Sequence, residues 1–349
     1  MCIIFPAASF AQMDSIIAIA KDAGAPAIEV VHVKKGKITS LHWGVKKAGT
    51  TDSITNETAF QAASLTKVVT AYAFFKLYDK GLINLDTPLY HYYAYDRLAN
   101  EPGKELITAR MVLTHRTGLL NWEGAVSTKE WRESPLHLQF TPGTKYMYSG
   151  EGYYFLQLVM EKVSGKSFQH LIESEVFAPL GMHHSQILWK DTLLENIAFG
   201  HYEDGKPRNL GKYTTINAAY SMYTTADDYT LFIQKALNRG VGLRKTTHQL
   251  MISKANEVQK AEGVSPDDAH VPIALGMRLQ YNEAGTWLWH TGSNPGFRCF
   301  FITNPKTGES LTAFLNTDSG FEAMPRLLAL FLGNKQTFWA YTWRQGELD

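Results

Sequence analysis

The sequence predicts a mixed α/β chain of the α+β kind: an antiparallel sheet flanked by helices and built from both chain ends, with a mostly helical domain inserted between them. Three observations point there. β-rich runs occur near both ends, at 27–45 and 287–317, while the stretch from 82 to 269 is helical with long loops. The helix that links the N-terminal strands to that stretch is apolar on most sides, which belongs in the centre of a molecule. The expected division is therefore 12–81 with 270–349 for the α/β part, and 82–269 for a helical part carrying substrate-binding loops.

The elements follow in chain order. The first thirteen residues, MCIIFPAASFAQM, are uncharged, and Ser9, Phe10 and Ala11 have the small-x-small pattern of a signal-peptidase site. Residues 1–11 thus read as the remnant of a secretory leader, which makes the protein exported and periplasmic. AIEVVHV (27–33) and ITSLHWGV (38–45) flank KKGK and read as a hairpin. In the next element Leu65, Val68, Val69, Tyr72 and Phe75 form one helical stripe, Ala71, Phe74 and Tyr78 a second, and Gly81 stands where a cap would end the helix. Helices are expected near 152–163, 167–177 and 226–238. The last has Thr225 as its cap and Asp227 and Asp228 in its first turn, favourable to the helix dipole. The loop-rich stretches 189–224 and 254–272 are long enough to be binding surfaces. WLWHT (287–291) and FRCFFIT (297–303) then flank Ser293, Asn294, Pro295 and Gly296, where Pro and Gly suit the second and third positions of a type II turn. SLTAFLNT (310–317) gives a third strand, and 322–332 a closing helix.

Composition excludes several function classes. The 349 residues carry 34 Lys plus Arg against 33 Asp plus Glu, a net charge of +1, without the basic footprint of a nucleic-acid or anionic-membrane binder. At 45% hydrophobic and 19% charged residues the chain is too apolar to be disordered. Two cysteines, Cys2 and Cys299, are too few for a disulfide framework or a thiolate zinc site. Beyond the N-terminus nothing approaches the roughly 18 apolar residues of a membrane span.

Three short patterns carry candidate chemistry. Ser64 and Lys67 open the apolar helix, and a three-residue step puts hydroxyl and amine on one face, about 5–6 Å apart at Cβ. A Ser-x-x-Lys string arises about once by chance in a chain of this length. Here, however, the lysine falls on the most apolar helix, where a charge is costly unless paired or working. The alternative is a capping serine with a lysine that reaches solvent. At its ordinary pKa only about one lysine in 2500 is neutral at pH 7, a handicap of roughly 4.6 kcal/mol for a base. Burial would lower that value, and a second acceptor would share the task. Tyr148, in TPGTKYMYSGEGYY, is that second candidate, as a proton relay to the leaving group; taken alone it reads as amphipathic packing. In the third pattern, His290, Thr291, Gly292 and Ser293 lead into the turn. Gly292 allows a close backbone approach, and the amides of Ser64 and Ser293 together would make an oxyanion hole.

Together these patterns resemble the serine β-lactamase and penicillin-binding-protein superfamily, most closely its class C β-lactamase and related esterase branch. LTHRTGL (113–119) is similar to the family's LTHTSGL, and residues 141–168 to its PGxxxxYSNxGYxLLGxIIExxSGxxF. FAPLGM (177–182) and HTGSNPGF (290–297) also match in order and spacing. The resemblance implies a β-lactamase/transpeptidase-like fold and no metal or organic cofactor. It makes Ser64 the acylated nucleophile, Lys67 its tuning amine, Tyr148 the proton shuttle, Ser64 and Ser293 the oxyanion donors, and His290, Thr291 and Gly292 the substrate-binding strand. The partner expected is a small-molecule or peptide substrate.

Two positions depart from the family pattern. Gly150 stands where Tyr-x-Asn has an amide, and nearby Glu151 is either its substitute or an exposed loop carboxylate. His290 replaces the lysine of Lys-Thr-Gly and is mostly neutral at pH 7, so Arg298 is a candidate replacement anchor for a substrate carboxylate. Both changes argue against an efficient β-lactamase and leave ester and peptide hydrolysis open. Rival readings are a metal enzyme using His183 and His184 with His115 or His290, though no HExxH spacing is present, and a silent family member that binds a peptide or cell-wall fragment. An α/β-hydrolase would need Gly-x-Ser-x-Gly, which is missing from the sequence.

Overall fold

The structure, a computed structural model, describes residues 7–345 other than 127 and 262. Of the expected leader, residues 1–6 lie outside the described residues, and Ala7–Asp22 forms helix α1. The hairpin strands are β1 (Ala27–Lys34) and β2 (Lys37–Gly44), joined at Lys35 and Gly36, both with positive φ. A two-residue pair, β3 (Phe60–Gln61) and β4 (Tyr223–Thr224), fastens the start of the central helix to the far end of the helical region. The C-terminal strands are β5 (Arg278–Asn282), β6 (Gly285–Asn294), β7 (Phe297–Asn304) and β8 (Glu309–Leu315).

The main sheet has the order β2-β1-β8-β7-β6-β5, antiparallel throughout. Its N- and C-terminal parts meet where β1 pairs with β8, Ile28 opposite Leu315, so the sheet is built from both chain ends as the strand pattern predicts. One face packs on helix α2 (Thr66–Asp79), buried continuously from Thr66 to Phe75. The other face packs on α1 and on the C-terminal helix Met324–Leu332. Each large apolar side chain buried this way contributes roughly 1.5–3 kcal/mol, and Lys67 is buried among them.

Two expected helices are interrupted. Residues 167–177 resolve into Phe168–Ile172 followed by a π turn, Glu173–Phe177. Helix α3 (Gly150–Ser164) begins two residues earlier than expected because Ser149 caps it, accepting from Gly152 N, and it ends at left-handed Gly165. Helix α4 (Ala226–Phe232), capped by Thr225, also widens into a π turn, Ile233–Leu237. It packs on the sheet through Thr230 and Thr312, whose hydroxyls are 2.9 Å apart.

Register sets what the sheet exposes. β5 covers β6 only from Gly285 to Trp289, whereas β7 covers it from Leu288 to Asn294. Residues 290–294 therefore run past the end of β5 with a strand on one side only. The β6–β7 turn is tighter than the four-residue reading: Asn294 pairs with Phe297, so Ser293 and Asn294 are strand and only Pro295 and Gly296 turn. Gly296 takes the positive φ, 80°, that this turn requires.

Candidate active site

Ser64 lies in a single 3-10 turn, Ala63–Leu65, that leads directly into α2. The residue before it, Ala63, has φ 47°, a left-handed conformation that costs a non-glycine residue of order 1–3 kcal/mol. The surroundings hold it there: Thr66 Oγ1 donates to Ala63 O at 2.6 Å, Ala62 N to Met222 O at 2.8 Å, and Tyr229 Oη to Leu65 O at 3.1 Å. Ser64 itself is half-buried, the polar mouth of an otherwise closed turn.

Gly292 brings β6 against that turn. A Cβ there would stand 2.5 Å from Cys299 Sγ, 2.6 Å from Ala62 O and 3.2 Å from Ala63 Cβ, so only glycine lets strand and turn touch. The pairing joins Ser64 to the strand carrying His290, Thr291 and Ser293. Thr291 is half-buried and Ser293 exposed.

Lys67 is 1% exposed, and its Nζ donates to Ser64 Oγ at 3.3 Å and to the Ala219 carbonyl at 3.1 Å. The same nitrogen lies 4.7 Å from the Tyr148 ring centre and 5.6 Å from that of Tyr153. Among the described residues no carboxylate pairs with it. Burial first, and the Arg278 charge second, hold its pKa well below the usual lysine value. The two ring faces favour the charged form, but the net shift is downward, the direction that eases the handicap of a lysine base.

Tyr148 is delivered by its neighbours. Met147 N donates to His115 O at 2.8 Å and Ser149 N to His115 Nδ1 at 3.1 Å, so one residue grips both sides of the tyrosine. The His115 ring lies 4.3 Å from the Tyr148 ring, and His115 adopts φ 55° to do so. Burial, with the nearby Arg278 and Lys67 charges, keeps its imidazole neutral, and an accepting Nδ1 agrees with that. In the sequence His115 reads only as a candidate metal ligand, and its place in LTHRTGL is the signal for this other role.

Arg278 was missed altogether. Only 3% exposed, it donates from Nη2 to Tyr146 Oη at 2.9 Å and lies over the rings of Tyr148, Trp289 and Trp343 at 5.4, 5.3 and 4.6 Å. It reaches the site through register, opposite Trp289 on β6. His290 is buried too, with Nδ1 2.7 Å from Thr291 O. Burial first, then Arg278 and Lys67, depress its pKa well below the ordinary histidine value, so it is a neutral group.

Three sequence readings are corrected. Glu151 is neither an exposed carboxylate nor a substitute amide. It is fully buried and points away from Lys67, bonded to Arg97 Nη1 at 2.9 Å, Trp131 Nε1 at 2.7 Å and Glu123 N at 2.9 Å. Arg298 is no free anchor: it pairs with Asp318 at 3.2 Å and donates to the carbonyls of Asn294 and Phe297, because its position opposite Ser293 turns it toward the Asp318 side of the sheet. The four histidines do not assemble. His183 and His184 are exposed, with His184 N bonded to Asp228, while His115 and His290 lie beside Tyr148. Among the described residues no three His, Cys, Asp or Glu side chains group to hold a metal, and no helix is long and apolar enough to cross a membrane.

The sequence profile of the beta-lactamase family matches residues 13–333. The chain belongs to the beta-lactamase family. Among curated relatives, Protein flp of Staphylococcus aureus strain MW2 is 24% identical over 336 residues, covering 91% of this chain and 64% of that protein. The chain thus spans less than two thirds of that relative's length. Among solved structures, a D-alanine carboxypeptidase AmpC from Burkholderia cenocepacia superposes with TM-score 0.78 at 19% identity, covering 93% of this chain and 98% of that one. A class C beta-lactamase superposes with TM-score 0.79 at 19% identity, covering 95% and 97%. At that identity the likeness carries the fold, which is the β-lactamase/transpeptidase architecture expected.

Proposed function

We propose that this protein is a serine hydrolase that cleaves an ester or amide through a covalent acyl-enzyme on Ser64. One observation carries the reading: a fully buried lysine amine that no carboxylate among the described residues pairs with, 3.3 Å from a half-buried serine hydroxyl. Ser64 Oγ attacks the substrate carbonyl carbon as its proton passes to neutral Lys67, with Tyr148 beside the amine as relay. The tetrahedral oxyanion is received by the Ser64 and Ser293 amides. The bond to the leaving group then breaks, and the leaving oxygen or nitrogen takes its proton from Tyr148. Water repeats the sequence on the acyl group, releasing the acid and restoring the hydroxyl. His290, Thr291 and Gly292 flank the bound substrate along the edge that β5 leaves uncovered.

The family resemblance leaves open a β-lactam or a D-amino-acid peptide as the natural substrate. A silent peptide-binding role is the weaker reading, since a binder gains nothing from keeping Lys67 charge-depleted and unpaired in the core. A fluorophosphonate probe, with p-nitrophenyl ester turnover, tests the proposal. Wild type is expected to label and turn over, and Ser64→Ala to lose both, by about 1000-fold or more in rate. Full activity in Ser64→Ala overturns the assignment.

A further inference from the structure

The short last helix, Trp339–Gln345, lies beyond residues 13–333, the stretch that the family profile matches, yet it is sewn to the strand and loop that back the site. Ala340 N donates to the Gln280 side-chain oxygen on β5 at 3.1 Å, and Asn282 Nδ2 to Thr337 O at 2.9 Å. Trp339 stacks on His270 of the 254–272 loop, with ring centres 3.9 Å apart and planes 7° from parallel. This docking buries Trp343 completely. Its Nε1 donates to Asp268 Oδ1 at 2.6 Å, and Lys260 Nζ lies 3.3 Å from the same oxygen and 4.8 Å from the indole centre. Lys260 belongs to a segment paired with the Tyr148 stretch: Tyr146 N donates to Gln259 O at 2.6 Å and Ala261 N to Tyr146 O at 3.1 Å. Arg278 closes the ring, bonded to Tyr146 Oη and 4.6 Å from the indole, the shortest of its three ring contacts. Arg278 in turn shares the Tyr148 ring with Lys67, the guanidinium carbon 5.4 Å and the amine 4.7 Å from its centre.

Resting on the Ser64 acyl-enzyme reading, we propose that Trp343 is a positioning residue of the site: the last helix uses its indole to fix the Arg278 guanidinium against Tyr148, beside Lys67. Indole is the best aromatic partner for a cation, and a buried one keeps water off the charge. Without that ring the guanidinium shifts or water fills the gap, and either change weakens its field at the groups around it. Those groups are Lys67, Tyr148, Tyr153, His115 and His290 on the site side, with Tyr146, Lys260 and Asp268 on the loop side. The Arg278 charge lowers the Lys67 pKa, so a weaker field raises it, and the neutral amine appears only at higher pH.

The test is the pH profile of kcat/KM for p-nitrophenyl acetate in the full chain, for wild type, Trp343→Leu, Trp343→Phe, Arg278→Met and the paired variant Trp343→Leu with Arg278→Met. Trp343→Leu is expected to lower kcat/KM by about tenfold, the size of one cation–π contact, and to move the acid limb to higher pH. In the paired variant the limb should lie where Arg278→Met alone puts it, because the indole acts through the guanidinium. Trp343→Phe keeps a ring face and should hold the limb at its wild-type position. If Trp343→Leu does not melt cooperatively, Trp343→Met makes the same comparison with a more adaptable side chain. An unmoved limb in the leucine or methionine variant overturns the positioning role even where kcat/KM falls, since lost packing alone would lower the rate. A further shift in the paired variant, or a limb that moves as far with phenylalanine as with leucine, overturns it too. Fluorophosphonate labelling read by intact mass separates the two levels: labelled proteins with an unmoved limb sink the Trp343 role alone, while no label on wild type at any pH sinks the Ser64 reading and this role with it.

Discussion

Lys67 and Arg97 are both basic side chains buried in the core, at 1% and 4% exposure, and the fold treats them in opposite ways. Arg97 is fully partnered: Glu151 at 2.9 Å, the Ser134 carbonyl at 2.7 Å, and the Trp131 ring at 4.8 Å. Burial pushes the Glu151 carboxyl up, while Arg97 and the bonds from Trp131 and Glu123 pull it back. Lys67 has a hydroxyl, a carbonyl and two ring faces, none of which carries a compensating negative charge. The difference teaches where to look for chemistry. A buried charge with its counter-ion braces the structure, whereas one without it costs stability and marks a candidate for chemistry.

Three measurements sharpen or break this contrast. The largest effect is expected from Lys67→Met, which should slow acylation of Ser64 by about 1000-fold or more while raising the melting temperature. The sign follows from linkage. The folded pKa lies below the ordinary 10.5, so between the two values the unfolded chain binds the extra proton, and wild-type stability rises with pH across that window. At neutral pH the fold therefore carries a cost that methionine removes; a lower melting temperature would show that the amine is not strained by burial. Next, Glu151→Ala leaves Arg97 charged, buried and alone, and should lose about 3–5 kcal/mol in denaturant titration. A loss below about 1 kcal/mol would mean that the pair is not a brace. The smallest effect is Arg278→Met. Removing a charge that helps hold Lys67 down should move the acid limb of kcat/KM to higher pH. A limb that stays in place would leave desolvation as the whole cause.

What the sequence discloses and what it hides divide along the same line. The Ser64–Lys67 step, the hairpin and the β6–β7 pair are local: each is fixed by spacings of a few residues along one element, and each is found where the periodicity puts it. The environment of those residues is not local. Arg278 reaches Tyr148 only through strand register, Trp122 covers Gly150 because two loops are latched together, and Glu151 is buried because Arg97 comes from 54 residues earlier. A lone carboxylate at a helix start, read in one dimension, looks exposed for want of that distant partner. His115 shows the intermediate case, visible in a motif yet read only as a metal-ligand candidate until its two bonds to the Tyr148 segment are seen.

The contact at Gly292 carries a consequence for how such a site can evolve. The meeting of β6 with the Ser64 turn depends on a missing methyl group, and even alanine there would force a carbonyl and a sulfur aside. Reactive groups can be exchanged one at a time, as His290 and Gly150 illustrate, because each alters the lining and leaves the frame alone. A bulkier residue at 292 would instead pry apart two distant stretches of chain, so tolerance to mutation should be lowest at a position that bears no functional group at all.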